Sequence, residues 1–267
     1  MGDVAEQYAE LGVMFNQYSL EENLQLLAQI PLVAHPGTSF NYSVSVDVLG
    51  AVIEKVTGMR LGDYLVQQFF KPMGMKDTAF LVEPEDRARF ARFYQPASIN
   101  NPAPVIAGSD VNWQLAETAP FGLSYDDWGK PPLYDGGGGG IFSTANDFLK
   151  YAEMVAGSGV FEGEVYLSPE TAELHFTDLM PSLGLEAFAA GFGEAARFMK
   201  FGGGYGIKLE EDGSGAHDYY FWGGAANTFF WIDATDQSVG VFFTHIWPPR
   251  YNLSDQIEQL VDEARLK

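Results

Sequence analysis

Two stretches of this 267-residue chain carry residue types that can act on a carbonyl compound. The first is Pro36-Gly37-Thr38-Ser39-Phe40-Asn41-Tyr42-Ser43-Val44-Ser45, which presents a phenol, Tyr42. A phenol titrates near pH 10, so general-base work near neutrality requires cations close by. The second is Trp222-Gly223-Gly224-Ala225. Small side chains there leave a strand edge open, so a backbone N–H can reach a carbonyl oxygen. Each stretch also has a plainer reading: Tyr42 as a half-buried tyrosine closing a turn, and the glycines as a tight strand crossing with no ligand.

The elements that must hold these residues follow from local patterns. Pro36-Gly37 marks a turn, Ser45 suits an N-cap, Val46, Leu49, Ile53 and Val56 recur at helical spacing, and Gly58 stands where a left-handed C-cap belongs. Tyr42 is thereby delivered to the mouth of an amphipathic helix. Upstream, Ser19-Leu20-Glu21-Glu22 is a capping box; downstream, Leu61, Leu65 and Phe69 line a short helix ended by Pro72 and Gly74. Residues 82–132 lose periodicity and form a loop region with short strands or turns. The glycines from Gly136 to Gly140 precede a helix capped by Ser143 or Thr144, with Asp147 near its N-terminal dipole; Ile141-Phe142 stand where a phosphate loop needs Lys-Ser/Thr. Ser168-Pro169-Glu170 opens another helix. Beyond Phe201 the pattern becomes strands at 205–209, 217–222, 228–233 and 239–245, whose short connections imply antiparallel neighbours, and then a helix capped by Ser254. The expected class is α+β: residues 1–200 mostly helical and loop-rich, residues 201–267 an antiparallel sheet with a C-terminal helix, the two forming one folding unit.

Composition excludes several partners. Acidic residues number 36 against 15 basic ones, a net charge of −21, and such a field repels phosphate backbones and anionic lipid. Neither nucleic acid nor a membrane surface is an expected partner. Without cysteine there is no disulfide, thiolate metal site or Cys nucleophile, and His35, His175, His217 and His245 lack metal-ligand spacing, so no metal or cofactor is expected. The first ten residues show no basic n-region or apolar h-region, and no apolar run reaches membrane-spanning length. The expectation is a soluble chain without signal peptide, cytoplasmic if it is complete. The acidic surplus also predicts that the melting temperature rises with added sodium chloride, whose ions screen repulsion beyond a Debye length of about 10 Å at 0.1 M; a flat or falling trend would show that the carboxylates do not repel one another appreciably.

The Tyr42 turn and helix resemble the second motif of the penicillin-recognising serine hydrolases, in particular class C β-lactamases and the esterases that share their fold. Phe70-Lys71-Pro72-Met73-Gly74-Met75-Lys76-Asp77-Thr78 resembles the family's Pro-Leu-Gly-Met-x-Asp-Thr segment, Gly138 to Asp147 its Gly-Gly-Leu-x-Ser-Thr-x-x-Asp segment, and Trp222-Gly223-Gly224 its Lys-Thr-Gly strand. The resemblance implies a β-lactamase/transpeptidase-like fold and hydrolysis of small esters or amides through an acyl-enzyme, with Tyr42 as base and the Ala225 amide as half of an oxyanion hole. It also implies a Ser-x-x-Lys nucleophile upstream of Tyr42, and no lysine here has a serine three residues before it. The chain thus resembles the family's C-terminal portion, its N-terminal part missing. Val44 replaces the asparagine of the second motif and Trp222 the lysine of the third, changes that favour apolar ester groups over a β-lactam. The resemblance further implies a polypeptide partner supplying the absent segment, or a second copy pairing with an unpaired edge at 239–245. The rival reading is a non-catalytic binding remnant of the same fold.

Overall fold

The computed structural model describes residues 4–12, 18–41, 44–96, 113–116, 130–180 and 198–246, together with helical positions 256–257, 260–261 and 263–264. Its helix ends are set by local hydrogen bonding. Helix α1 (Val4–Leu11) has no counterpart among the expected elements. Helix α2 (Leu20–Leu27) starts in a capping box in which the Ser19 N–H donates to Glu22 Oε2 at 2.8 Å and the Glu22 N–H to Ser19 Oγ at 3.3 Å. Gly37, at φ 79°, lies within a turn closed by the Thr38 N–H on the His35 carbonyl. Helix α3 (Ser45–Thr57) ends at Gly58 in the left-handed region, φ 69°. Its N-cap is Val44 rather than Ser45, with no side-chain cap. The Val44 carbonyl takes the N–H groups of both Asp47 and Val48, so the backbone closes the first turn one residue before the serine hydroxyl can act.

The expected helix over 61–69 divides in two. Helix α4 (Leu61–Leu65) passes into a π-helical turn (Val66–Phe70), closed by the Lys71 N–H on the Val66 carbonyl. Phe70 enters the core and Phe69 stacks on Tyr166. A two-stranded ladder follows, β1 (Tyr94–Pro96) with β2 (Trp113–Leu115). Helix α5 (Ala145–Ala156) is capped by Thr144, which accepts the Asp147 N–H at 3.2 Å; the Ser143 hydroxyl instead meets that of Thr78. The buried Asp147 carboxylate accepts the Asp77 N–H at 2.7 Å, fastening the loop after the π turn to α5. A hairpin, β3 (Val160–Phe161) and β4 (Glu164–Val165), leads to helix α6 (Pro169–Phe176), with Ser168 as cap and proline in its first turn.

Five strands then form an antiparallel meander: β5 (Met199–Phe201), β6 (Gly206–Leu209), β7 (His217–Gly224), β8 (Thr228–Asp233) and β9 (Val239–Phe242), in that spatial order. Strand β5 is additional to those expected, and β9 stops at 242 rather than 245. His245 instead gives its carbonyl to the Tyr94 N–H, tying the end of the sheet to β1. Among the described residues β9 is an edge strand.

The protein is α+β, with apolar residues on both faces of the sheet. Ala152, Met154 and Val155 of α5 are sealed from solvent and form one core with Phe70, Met73, Met75, Tyr205, Phe230 and Ile232. Alternation along β8 turns Trp231 the other way, where it meets Phe221, Met199, Phe40 and Ile257. Residues on either side of position 200 thus share the first core. No helix among the described residues is long and apolar enough to cross a membrane.

Candidate active site

Tyr42 and Ser43 lie outside the described residues, but the chain is placed on both sides of them. On one side the Phe40 ring lies 5.1 Å from that of Phe201, and the Phe201 ring 5.5 Å from Trp222. These contacts fasten Phe40, two residues before Tyr42 in sequence, to the end of β7. On the other side Val44, half-buried, is the N-cap of α3. Trp222 is half-buried, whereas Gly223, Gly224 and Ala225 are exposed. A Cβ on Gly224 would come within 2.3 Å of Thr228 Oγ1, so a side chain there collides with the start of β8. Asn227, at φ 59°, completes the turn by donating its N–H to the Gly224 carbonyl. From behind, the Ala226 carbonyl accepts the Ile246 N–H and the Thr244 hydroxyl. The loop bearing Ala225 therefore has a braced back and an open front.

A second wall was not foreseen from sequence. The glycine run lies directly on the first turn of α3: a Cβ on Gly137 would stand 2.1 Å from the Val46 carbonyl oxygen. Asp47, buried on α3, accepts the Gly138 N–H at 3.3 Å. Burial pushes the Asp47 carboxyl up, while the Gly138 amide draws it back down. Beside it, burial and then the Asp47 charge push the Tyr134 phenol up to about 12. The other end of the loop is held by Asp135, which accepts Arg60 Nε and a terminal guanidinium nitrogen and the Gly62 N–H, all at 2.8 Å. Arg60, the cation at the corner between α3 and α4, is thus committed to structure. A buried carboxylate and a guanidinium 75 residues apart leave no sequence motif; the proximity of Asp135 to the glycine run was the one signal available. At the far side, burial holds the His245 imidazole below its ordinary value while its Nδ1 meets the Ala91 carbonyl at 2.7 Å.

A helix that begins three residues after Tyr42 in sequence, a glycine loop seated on that helix, and an open strand end on an antiparallel sheet backed by α5 together define a β-lactamase-type α+β architecture. The family model described as Beta-lactamase matches residues 3–262, and the chain belongs to that family. Among curated relatives, Esterase EstB from Burkholderia gladioli is 33% identical over 147 residues, 54% of this chain and 36% of its own length. Lovastatin esterase from Penicillium rubens is 27% identical over 242 residues, 84% of this chain and 56% of its own. Among solved structures, EstCE1, described as a hydrolase with promiscuous acyltransferase activity, superposes with a TM-score of 0.69 at 26% identity, covering 90% of this chain and 61% of that one. The matched parts therefore span from about a third to little more than half of these two curated relatives.

Proposed function

We propose that this chain forms the greater part of a serine-dependent esterase acting on small carboxylic esters or amides through an acyl-enzyme, its nucleophile coming from polypeptide outside these 267 residues. The observation that supports this reading is the Phe40–Phe201–Trp222 contact chain, which links Phe40, two residues before Tyr42 in sequence, to the residue that precedes the exposed Gly223–Ala225 strand end. The similarity to EstB and to the lovastatin esterase, both esterases, supports it. In this reading Tyr42 takes the serine proton as Oγ bonds to the substrate carbonyl carbon. The Ala225 N–H donates to the resulting oxyanion, and the proton passes to the departing alcohol or amine as its bond to carbon breaks. Water then enters by the same path in reverse. Trp222, in the place of a lysine, and Val44, in the place of an asparagine, supply apolar surface rather than a partner for a carboxylate, which favours apolar acyl or alcohol groups.

Treated alone with an activated short-chain ester or a chromogenic β-lactam, the chain should give no acyl-enzyme burst, and an organophosphonate should leave no adduct on it. With a polypeptide carrying a Ser-x-x-Lys segment added, mass spectrometry should find the adduct on that serine, and Tyr42→Phe should lower its rate of formation by about 100-fold, as loss of a general base does. A covalent serine adduct on the isolated chain would overturn the reading. Trp222 in place of a cation favours a second reading, a binding remnant without chemistry; it predicts retained binding of apolar esters and no adduct in either experiment.

A further inference from the structure

Helix α3 faces inward with its poorest residues. Asp47 and Gly50 are the buried ones, packed under the glycine loop, while the apolar residues point away: Val46 is 50% exposed, Leu49 55%, Val52 51% and Val56 80%. Steps of three and four residues align them in one stripe. Beside it runs an open apolar groove lined by Val46, Leu49, Ile53, Leu61, Leu65 and Phe80. An apolar patch of this extent on a helix marks a contact surface.

We infer that this stripe and groove seat an amphipathic α-helix of a second polypeptide, cationic on the flanks that remain in solvent. Building on the proposed function, this names the surface that receives the completing polypeptide. A helix is the fitting occupant because a valine–leucine ridge with three- and four-residue spacing matches the grooves of another helix, whereas α3 offers no free strand edge to an extended peptide. A cationic helix fits because the chain carries a net charge of −21; a second copy brings the same charge and is repelled. The groove also lies near the candidate site: Val46 is four residues after Tyr42 in sequence, and Gly136 and Gly137 of the seated loop form its rim. There is material to fill it in the relatives, since EstCE1 superposes over only 61% of its own length.

The chain has no cysteine, so Val52→Cys creates a unique site for an environment-sensitive fluorophore. The probe is a synthetic peptide of about 18 residues, five helical turns, with leucines at i, i+3, i+4 and i+7 and lysines elsewhere. Its control is a scrambled peptide of identical composition. The expected result is a saturable blue shift with one peptide bound per chain, and at least tenfold weaker binding both for the scrambled peptide and for Leu49→Asp. Should Leu49→Asp lower the melting temperature, Val56→Lys, at the most exposed position of the stripe, should show the same tenfold loss. Equal affinity of ordered and scrambled peptides would overturn the inference. So would unchanged binding by both variants, or a free chain that scatters as a dimer with the fluorophore already shielded. Because the readout is binding, adduct formation with an added Ser-x-x-Lys polypeptide that persists in Leu49→Asp would displace the seat while leaving the reaction chemistry standing.

Discussion

Gly137→Ala should unseat the glycine loop from α3 and lower stability by about 3 kcal/mol, at the upper end of what inserting one carbon into a packed contact costs. The added Cβ would stand 2.1 Å from the Val46 carbonyl oxygen and 2.8 Å from its carbon, both backbone atoms inside a helix, so neither can swing aside as a side chain would. The loop must lift, taking the Gly138 N–H away from Asp47 and leaving a buried carboxylate short of a donor. Gly139→Ala is the internal control: nothing lies within 4 Å of its Cβ, and its backbone needs no left-handed conformation. Urea unfolding of the two variants should therefore separate widely, and equal midpoints would show that the loop does not rest on the helix.

Asp135→Ala should cost about 2–3 kcal/mol. The carboxylate is 5% exposed and accepts three N–H groups, two from Arg60 and one from Gly62. Losing one partner of a buried ion pair costs about 3–5 kcal/mol. Arg60 is 42% exposed, so water takes over part of its hydration and the cost falls below that range. Asp135→Asn keeps one acceptor and should lose less than alanine. Denaturant titration resolves differences of this size, and a wild-type midpoint for Asp135→Ala would remove the pair from any account of how α3, α4 and the glycine loop are held together.

Sequence was most informative where one residue settles its own neighbourhood. Ser19 with Glu22, Gly37, Gly58 and Ser168 with Pro169 act through bonds or backbone conformations within a few residues, and the structure has each where its type requires. Four antiparallel strands were legible for the same reason, since alternating apolar runs were separated by Gly- and Asp-rich turns. The missed elements depend on distant partners. Strand β5 is three residues long and is a strand by virtue of pairing with β6; the π turn at Val66–Phe70 accompanies the packing of both Phe69 and Phe70. Tyr42 and Trp222 were named from sequence, but the Phe40–Phe201–Trp222 contacts, like the Asp47 and Asp135 contacts to the glycine loop, exist only once the chain has folded back on itself.

The meander has a consequence for the order in which this molecule assembles. Each ladder from β5 to β9 joins strands that are neighbours in the chain, so closing it sacrifices little chain entropy. The bonds that seat the glycine loop span 75 residues for Arg60 with Asp135 and 91 for Asp47 with Gly138. Contacts of such separation are the slow ones in folding. A refolding chain should accordingly acquire its sheet first and its glycine wall last, passing through a species with strands in register and the first turn of α3 still open to water.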